Sequence, residues 1–125
     1  MRLRVYTSEA IDTTGSAGSA TGTGSIIVEK TAYLEWVYYD FHASAPATTD
    51  VAGTFAATPP GGALFTSTSS ATDVLQFPRA AVVNTAGSAI TNTSARIALT
   101  GTIDIAVAQC DALTGAVTVY VGVME

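Results

Sequence analysis

Apolar and polar residues alternate strictly along residues 96–123 of the chain. In RIALTGTIDIAV the odd positions are mainly large aliphatic residues and the even positions are mostly polar. After residue 116 the odd positions carry Val117, Val119, Val121 and Val123. Alternation with period two and many β-branched residues is typical of strands that bury one face. We therefore predict two strands here, joined by a turn at residues 110–115 into a hairpin in which Val107 pairs with Val117.

Residues 25–41 also alternate, but both sets of positions are largely apolar. Such a strand lies in the centre of a sheet, or it presents its outer face to another subunit. The even set predicts that Trp36 points into the core, together with Leu34 and Tyr38. The odd set predicts a second face that is available to a partner. Its candidate interface residues are Tyr33, Glu35, Tyr39 and Phe41.

The N-terminal part of the chain contains a short strand and an unusual segment. Residues 2–7 predict a strand with Leu3 and Val5 facing inward. Residues 12–24 (DTTGSAGSATGTG) have no large side chain and no charge after Asp12, which predicts a flexible arm or loop. We expect this segment to contact a partner. Its candidate contact residues are Thr13, Gly15, Gly18, Gly22 and Gly24.

The remaining segments are short, strand-like and bounded by turn residues. Candidate strands lie at residues 51–57, 63–66 and 73–77, with a firm Pro-Pro-Gly-Gly break at residues 59–62. No segment shows helical periodicity. The sequence therefore predicts one all-β domain over residues 1–125, an antiparallel β-sandwich that is jelly-roll-like or Ig-like.

Composition excludes several classes of function. Only 12% of the 125 residues are charged and the net charge is −5, which argues against nucleic-acid binding because phosphate contacts need clustered Lys and Arg. Cys110 is the single cysteine, so an intrachain disulfide is impossible and the thiol is expected to be structural. We see no apolar run of membrane-spanning length and no secretory signal, and we expect folding in a cytoplasm.

The residues offer little catalytic chemistry. His42 is the only histidine, and its neighbours Asp40 and Ser44 are close in sequence alone, which does not define a triad. One histidine and one cysteine cannot form a zinc site without carboxylate help. We predict no enzyme activity, no metal and no cofactor. A hydrolase built on His42 is the weakest alternative.

Three segments, LEWVYYDFHASAPATTDV, LQFPRAAVVNTAGSAI and GTIDIAVAQCDALTGAVTVYVGV, resemble in that order small virion proteins of tailed bacteriophages. The resemblance covers roughly residues 25–123. It implies a capsid cement (decoration) protein, a β-sandwich made in the host cytoplasm that binds the outer surface of the assembled head. The implied partners are the major capsid protein and further copies of the chain, with a trimer favoured. Many weak contacts on a symmetric shell add up by multivalency.

Two other functions remain open. The first is a carbohydrate-binding β-sandwich of a tail or fibre, in which Trp36, Tyr38 and Tyr39 form stacking platforms if they are exposed. The second is a tail-completion or neck protein, which shares the fold and the virion but not the location. Burial of Trp36 separates the first alternative from the cement protein.

Overall fold

The computed structural model describes residues 2–55 and 63–125, and these residues form an antiparallel all-β domain, as predicted. Its seven strands are β1 (Leu3–Thr7), β2 (Ala20–Phe41), β3 (Asp50–Phe55), β4 (Ala63–Ser67), β5 (Val74–Gln76), β6 (Ile97–Cys110) and β7 (Val117–Met124). They lie in the order β1-β7-β2-β6-β3-β4, and β5 also pairs with β2. The described part of the chain contains no helix that could cross a membrane. The break predicted at residues 59–62 lies outside the described residues.

Strand β2 is 22 residues long and belongs to two layers of the domain. From Ala20 to Leu34 it pairs with β6, which continues the sheet into β3 and β4. From Tyr33 to Phe41 it pairs with β7 on one side, and at residues 37–39 it pairs with β5 on the other. The central position predicted for this strand is therefore confirmed, because it pairs with three others.

The two layers face each other across one core. Tyr39 of β2 packs edge-on against Phe65 of β4, with ring centroids 6.1 Å apart, although β6 and β3 separate the two strands in the sheet order. The Tyr39 hydroxyl donates a hydrogen bond to Oε1 of Gln76 (2.8 Å), and Nε2 of Gln76 donates to the Thr66 carbonyl (2.9 Å). These contacts join β2, β5 and β4, and they give the β-sandwich arrangement that the sequence predicts.

The alternation at residues 97–123 is confirmed, but the hairpin pairing is wrong. Ile103, Ile105 and Val107 are buried, as are all four alternating valines of β7. Strand β6 pairs with β2 and β3, whereas β7 pairs with β1 and β2, so Val107 and Val117 are not partners. The connection between them is a crossover from one layer to the other. Its backbone bonds to the preceding N-terminal segment, where Ile11 exchanges hydrogen bonds with residues 116 and 117.

Strand β1 presents the face opposite to the predicted one. Leu3 and Val5 are both 52% exposed, and they pair with Met124 and Gly122, which occupy outward positions of β7. The core-facing valines of β7 pair instead with Arg4 and Tyr6. The prediction that Leu3 and Val5 face inward is therefore wrong, because the register to β7 sets the face of this edge strand.

Candidate binding surfaces

A β-bulge at Glu35 exchanges the two faces of β2. Leu34 pairs with Val123 and Trp36 pairs with Gly122, so Glu35 is an extra residue in β2. Because side chains alternate with period two, one extra residue inverts the pattern for everything that follows. Before the bulge the buried residues of β2 occupy even positions, and after it they occupy odd positions.

The bulge overturns four predicted positions. Tyr39 and Phe41 point into the core, where they stack with centroids 6.1 Å apart, so they are not available to a partner. Burial raises the pKa of Tyr39 above its ordinary value. Trp36 and Tyr38, both expected in the core, lie half-buried on the outer face. Of the four interface residues predicted on this strand, Tyr33 is exposed and Glu35 is partly exposed.

The outer face of the layer formed by β5, β2, β7 and β1 carries a shallow cleft of about 450 Å³. We call it the aromatic cleft, and its lining residues are Trp36, Tyr38, Asp40, Leu75 and Tyr120. The Trp36 indole lies over Gly122, where any Cβ would overlap the ring. The Tyr38 and Tyr120 rings meet at 51° with centroids 6.2 Å apart. The glycine thus provides the space in which the indole lies against the sheet.

The polar groups of the aromatic cleft are phenols and carboxylates. Asp40 lines the cleft, and the carboxylate of Asp73 lies near Tyr38 and accepts a hydrogen bond from the backbone N–H of Phe41 (2.8 Å). Desolvation, followed by the negative charges of Asp73 and Asp40, raises the pKa of Tyr38. The lining contains no Lys, Arg or His. The cleft therefore offers acceptors and aromatic faces but no positive charge.

A second candidate surface is an exposed segment whose flanking residues contact the bulge. Between β5 and β6 the chain forms a hairpin-like excursion, residues 80–95, which is closed by isolated bridges between Ala80 and Ala95 and between Val83 and Ala89. We call it the 80–95 hairpin. Nearly all of its residues are exposed, including Val82, Val83 and Ile90, and it contains no charged residue and no histidine.

The base of the 80–95 hairpin is attached to the bulge by two arginines. The Glu35 carboxylate forms ion pairs with Nε of Arg96 (2.9 Å) and with the Arg79 guanidinium (3.5 Å). Arg79 also donates a hydrogen bond to the backbone carbonyl of Glu35 (3.1 Å). Since these arginines flank the hairpin in sequence, their shared contact with Glu35 holds its two ends together.

Residues 12–24 do not project from the domain as an arm. Thr13 is buried, and its hydroxyl donates to the Asp111 carbonyl (2.6 Å) and accepts from the Leu113 N–H (3.0 Å). Gly15 and Gly18 lie in an exposed turn, where the Gly18 N–H donates to the Asp111 carboxylate (2.8 Å).

The second half of this segment is regular strand. Gly22 and Gly24 belong to β2 and pair with Val107 and Ile105. A Cβ at either glycine would overlap the segment that includes Ile11, so the two glycines permit a close approach of the chain. The sequence predicts a flexible arm or loop for this segment, but residues 20–24 belong to β2 and only residues 12–19 form a loop. Of the predicted contact residues in this segment, Gly15 and Gly18 are exposed.

His42 lies exposed directly after the end of β2. Its Nδ1 accepts a hydrogen bond from the backbone N–H of Ser44 (2.9 Å), not from the serine hydroxyl. Cys110 is a buried free thiol at the end of β6, as predicted. Within residues 2–55 and 63–125, no group of three or more His, Cys, Asp or Glu side chains is placed to hold a metal ion.

Sequence reasoning missed several residues of both surfaces. Tyr120 and Leu75 join the aromatic cleft only through the pairing of β7 and β5 with β2, which no local pattern shows. The sequence did contain one indication of each surface. Gly122, which lies under the aromatic cleft, interrupts a strand of otherwise larger residues, and residues 80–95, which form the hairpin, carry no charge. Comparison of the chain with protein-family models, curated proteins and solved structures gave no match.

Proposed function

We propose that the chain is a non-enzymatic capsid cement protein of a tailed bacteriophage, which binds the outer surface of the assembled head and stabilises contacts between major capsid subunits. The observation that carries the proposal is the 80–95 hairpin. It holds exposed apolar side chains on an uncharged segment whose base is fixed to the domain. Large contiguous apolar patches on a protein surface are typical of interaction sites.

The chemistry of the hairpin suits a protein partner. Val83 and Ile90 are 55% and 43% exposed, so their burial against another subunit is favourable by roughly 1–2 kcal/mol each. The absence of charge avoids the desolvation cost that an ion imposes on an interface. The ion pairs at Glu35 reduce the ordering cost of docking, because the hairpin is already held at its base. Tyr33 and Glu35, close to that base, remain candidate contact residues.

The proposal is tested with heads that lack the protein. Purified wild-type protein is expected to co-sediment with emptied heads and to raise the temperature at which they rupture. The variant Val83→Ser/Ile90→Ser is expected to bind at least about 10-fold more weakly, because it loses apolar burial. The matched control Val5→Ser/Ile27→Ser changes two equally exposed residues outside the hairpin, and it is expected to bind like the wild type.

Failure of the wild type to bind, or equal heat resistance of heads with and without the protein, contradicts the proposal. Imaging that places the copies at the neck instead of the shell favours a tail-completion or neck protein. The expected assembly is a homotrimer of about 38 kDa, three times the 12.7 kDa chain, since closed cyclic symmetry is usual for such assemblies. Light scattering after size-exclusion chromatography measures this mass directly.

A further inference from the structure

We infer that the aromatic cleft binds a pyranose ring of a neutral glycan. This activity goes beyond attachment to a capsid and does not depend on it, because the residues that line the cleft and those of the 80–95 hairpin are different. The inference rests on three features of the cleft: a flat indole, flanking hydroxyl and carboxylate groups, and the absence of positive charge.

The first feature is the orientation of Trp36. Because Gly122 has no side chain, the indole lies over the strand, and the ring remains partly exposed. The π face of an aromatic ring is negative, and the C–H groups on one side of a pyranose carry partial positive charge, so the two faces attract each other. A shallow, open cleft suits a ring that stacks from solvent better than it suits a ligand that needs enclosure.

The second feature is the set of polar groups beside the indole. Tyr38 and Tyr120 contribute phenolic hydroxyls to the lining of the cleft, and Asp40 contributes a carboxylate. A carboxylate accepts hydrogen bonds from sugar hydroxyls, and such charge-assisted bonds are stronger than neutral ones. An apolar surface with a few polar groups that fix orientation is the usual composition of a small-molecule site.

The third feature is charge. No cationic side chain lines the cleft, Asp73 lies next to it, and the chain has a net charge of −5. Sialic acids, uronates and phosphorylated sugars would meet two carboxylates without a counter-ion. The cleft therefore selects neutral glycans over anionic ones.

Trp36 is the only tryptophan of the chain, so its fluorescence reports on this cleft alone. We would titrate the full chain with maltohexaose, cellohexaose, chitohexaose and mannohexaose, and with hexagalacturonate as an anionic probe. At least one neutral hexasaccharide is expected to shift the emission saturably below about 10 mM, and hexagalacturonate is expected to bind at least about 10-fold more weakly.

Variants separate binding from folding. Tyr120→Ala and Asp40→Asn keep the tryptophan signal and are expected to weaken binding about 10-fold or more. Ile27→Ala, which changes an exposed apolar residue outside the cleft and outside the 80–95 hairpin, is expected to bind like the wild type. Far-UV circular dichroism confirms that each variant is folded.

Four results overturn the inference. Three of them are the absence of any shift with the four neutral probes, unchanged affinity in Tyr120→Ala, and equal binding of hexagalacturonate. An emission shift that follows protein concentration instead of sugar shows that a second copy covers the cleft, and it also overturns the inference. None of these results bears on binding to heads, which the hairpin variants test separately.

Discussion

The substitution Gly53→Ala tests the packing between the two layers. Gly53 of β3 pairs with Phe65 of β4 and with Ile105 of β6. A Cβ at this position would overlap the Phe65 ring, which is buried and has little room to move. The ring must shift, and its shift disturbs the edge contact with Tyr39 in the opposite layer.

The expected cost combines two effects. Overpacking a core costs about 1–3 kcal/mol, and loss of an aromatic pair costs about 0.5–1.5 kcal/mol. We therefore expect the free energy of unfolding to fall by about 1.5–4.5 kcal/mol. For a domain of this size, that corresponds to a decrease in Tm of roughly 5–20 °C.

The assay is urea unfolding followed by far-UV circular dichroism, at one protein concentration for all variants. Gly122→Ala is the matched control, because its Cβ would overlap the Trp36 indole, which can move outward into solvent. This control is expected to cost less than about 1 kcal/mol while changing tryptophan emission. A loss below about 1 kcal/mol for Gly53→Ala, or an equal loss for both variants, refutes the proposed packing.

Two further predictions concern buried hydroxyl groups. Burial raises the pKa of Tyr39 above its ordinary value of 10.0, so the folded protein favours the protonated phenol. The contribution of this phenol to stability is therefore complete below pH 10 and is lost as the pH rises further. Guanidinium unfolding measures the free energy of unfolding of the wild type and of Tyr39→Phe at a series of pH values. Above about pH 10, the value for the wild type is expected to fall by about 1.4 kcal/mol per pH unit relative to that of the variant. If the two plots of unfolding free energy against pH are parallel, this prediction is wrong. Thr13→Val leaves the Leu113 N–H without its side-chain acceptor and is expected to cost about 1–3 kcal/mol in urea unfolding. The exposed control Thr14→Val is expected to cost far less, and similar losses would show that the Thr13 hydroxyl is unimportant.

The alternation of apolar and polar residues was sufficient to predict the all-β fold class. The alternation from Ile103 to Val107 and from Val117 to Val123 identifies buried faces without knowledge of any partner strand, and the structure buries these residues. Strand pairing was harder to predict. The crossover at residues 111–116 bonds to Thr13 and Ile11, about 100 residues earlier in the chain, and such distant contacts leave no local pattern.

The candidate surfaces depend on hydrogen bonds and strand pairing that cannot be predicted from amino-acid composition. Residues 12–24 have the composition of a flexible linker, yet hydrogen bonds to Asp111 and Leu113 fix their first half and pairing with β6 fixes their second. The inversion at Glu35 depends on Arg79, Arg96 and the register of β7. A single strand read in isolation therefore assigned Trp36 and Tyr39 to the wrong faces.

The bulge at Glu35 also has a genetic consequence. After the bulge, positions 36, 38 and 40 of β2 face outward and positions 37, 39 and 41 face the core. Substitutions at the outward positions can therefore change the outer face without changing the residues of the core. Loss or gain of one codon between the bulge and Phe41 would exchange the two sets and place Asp40 in the core. Descendants of this sequence should therefore diversify here by replacement of residues, at constant strand length.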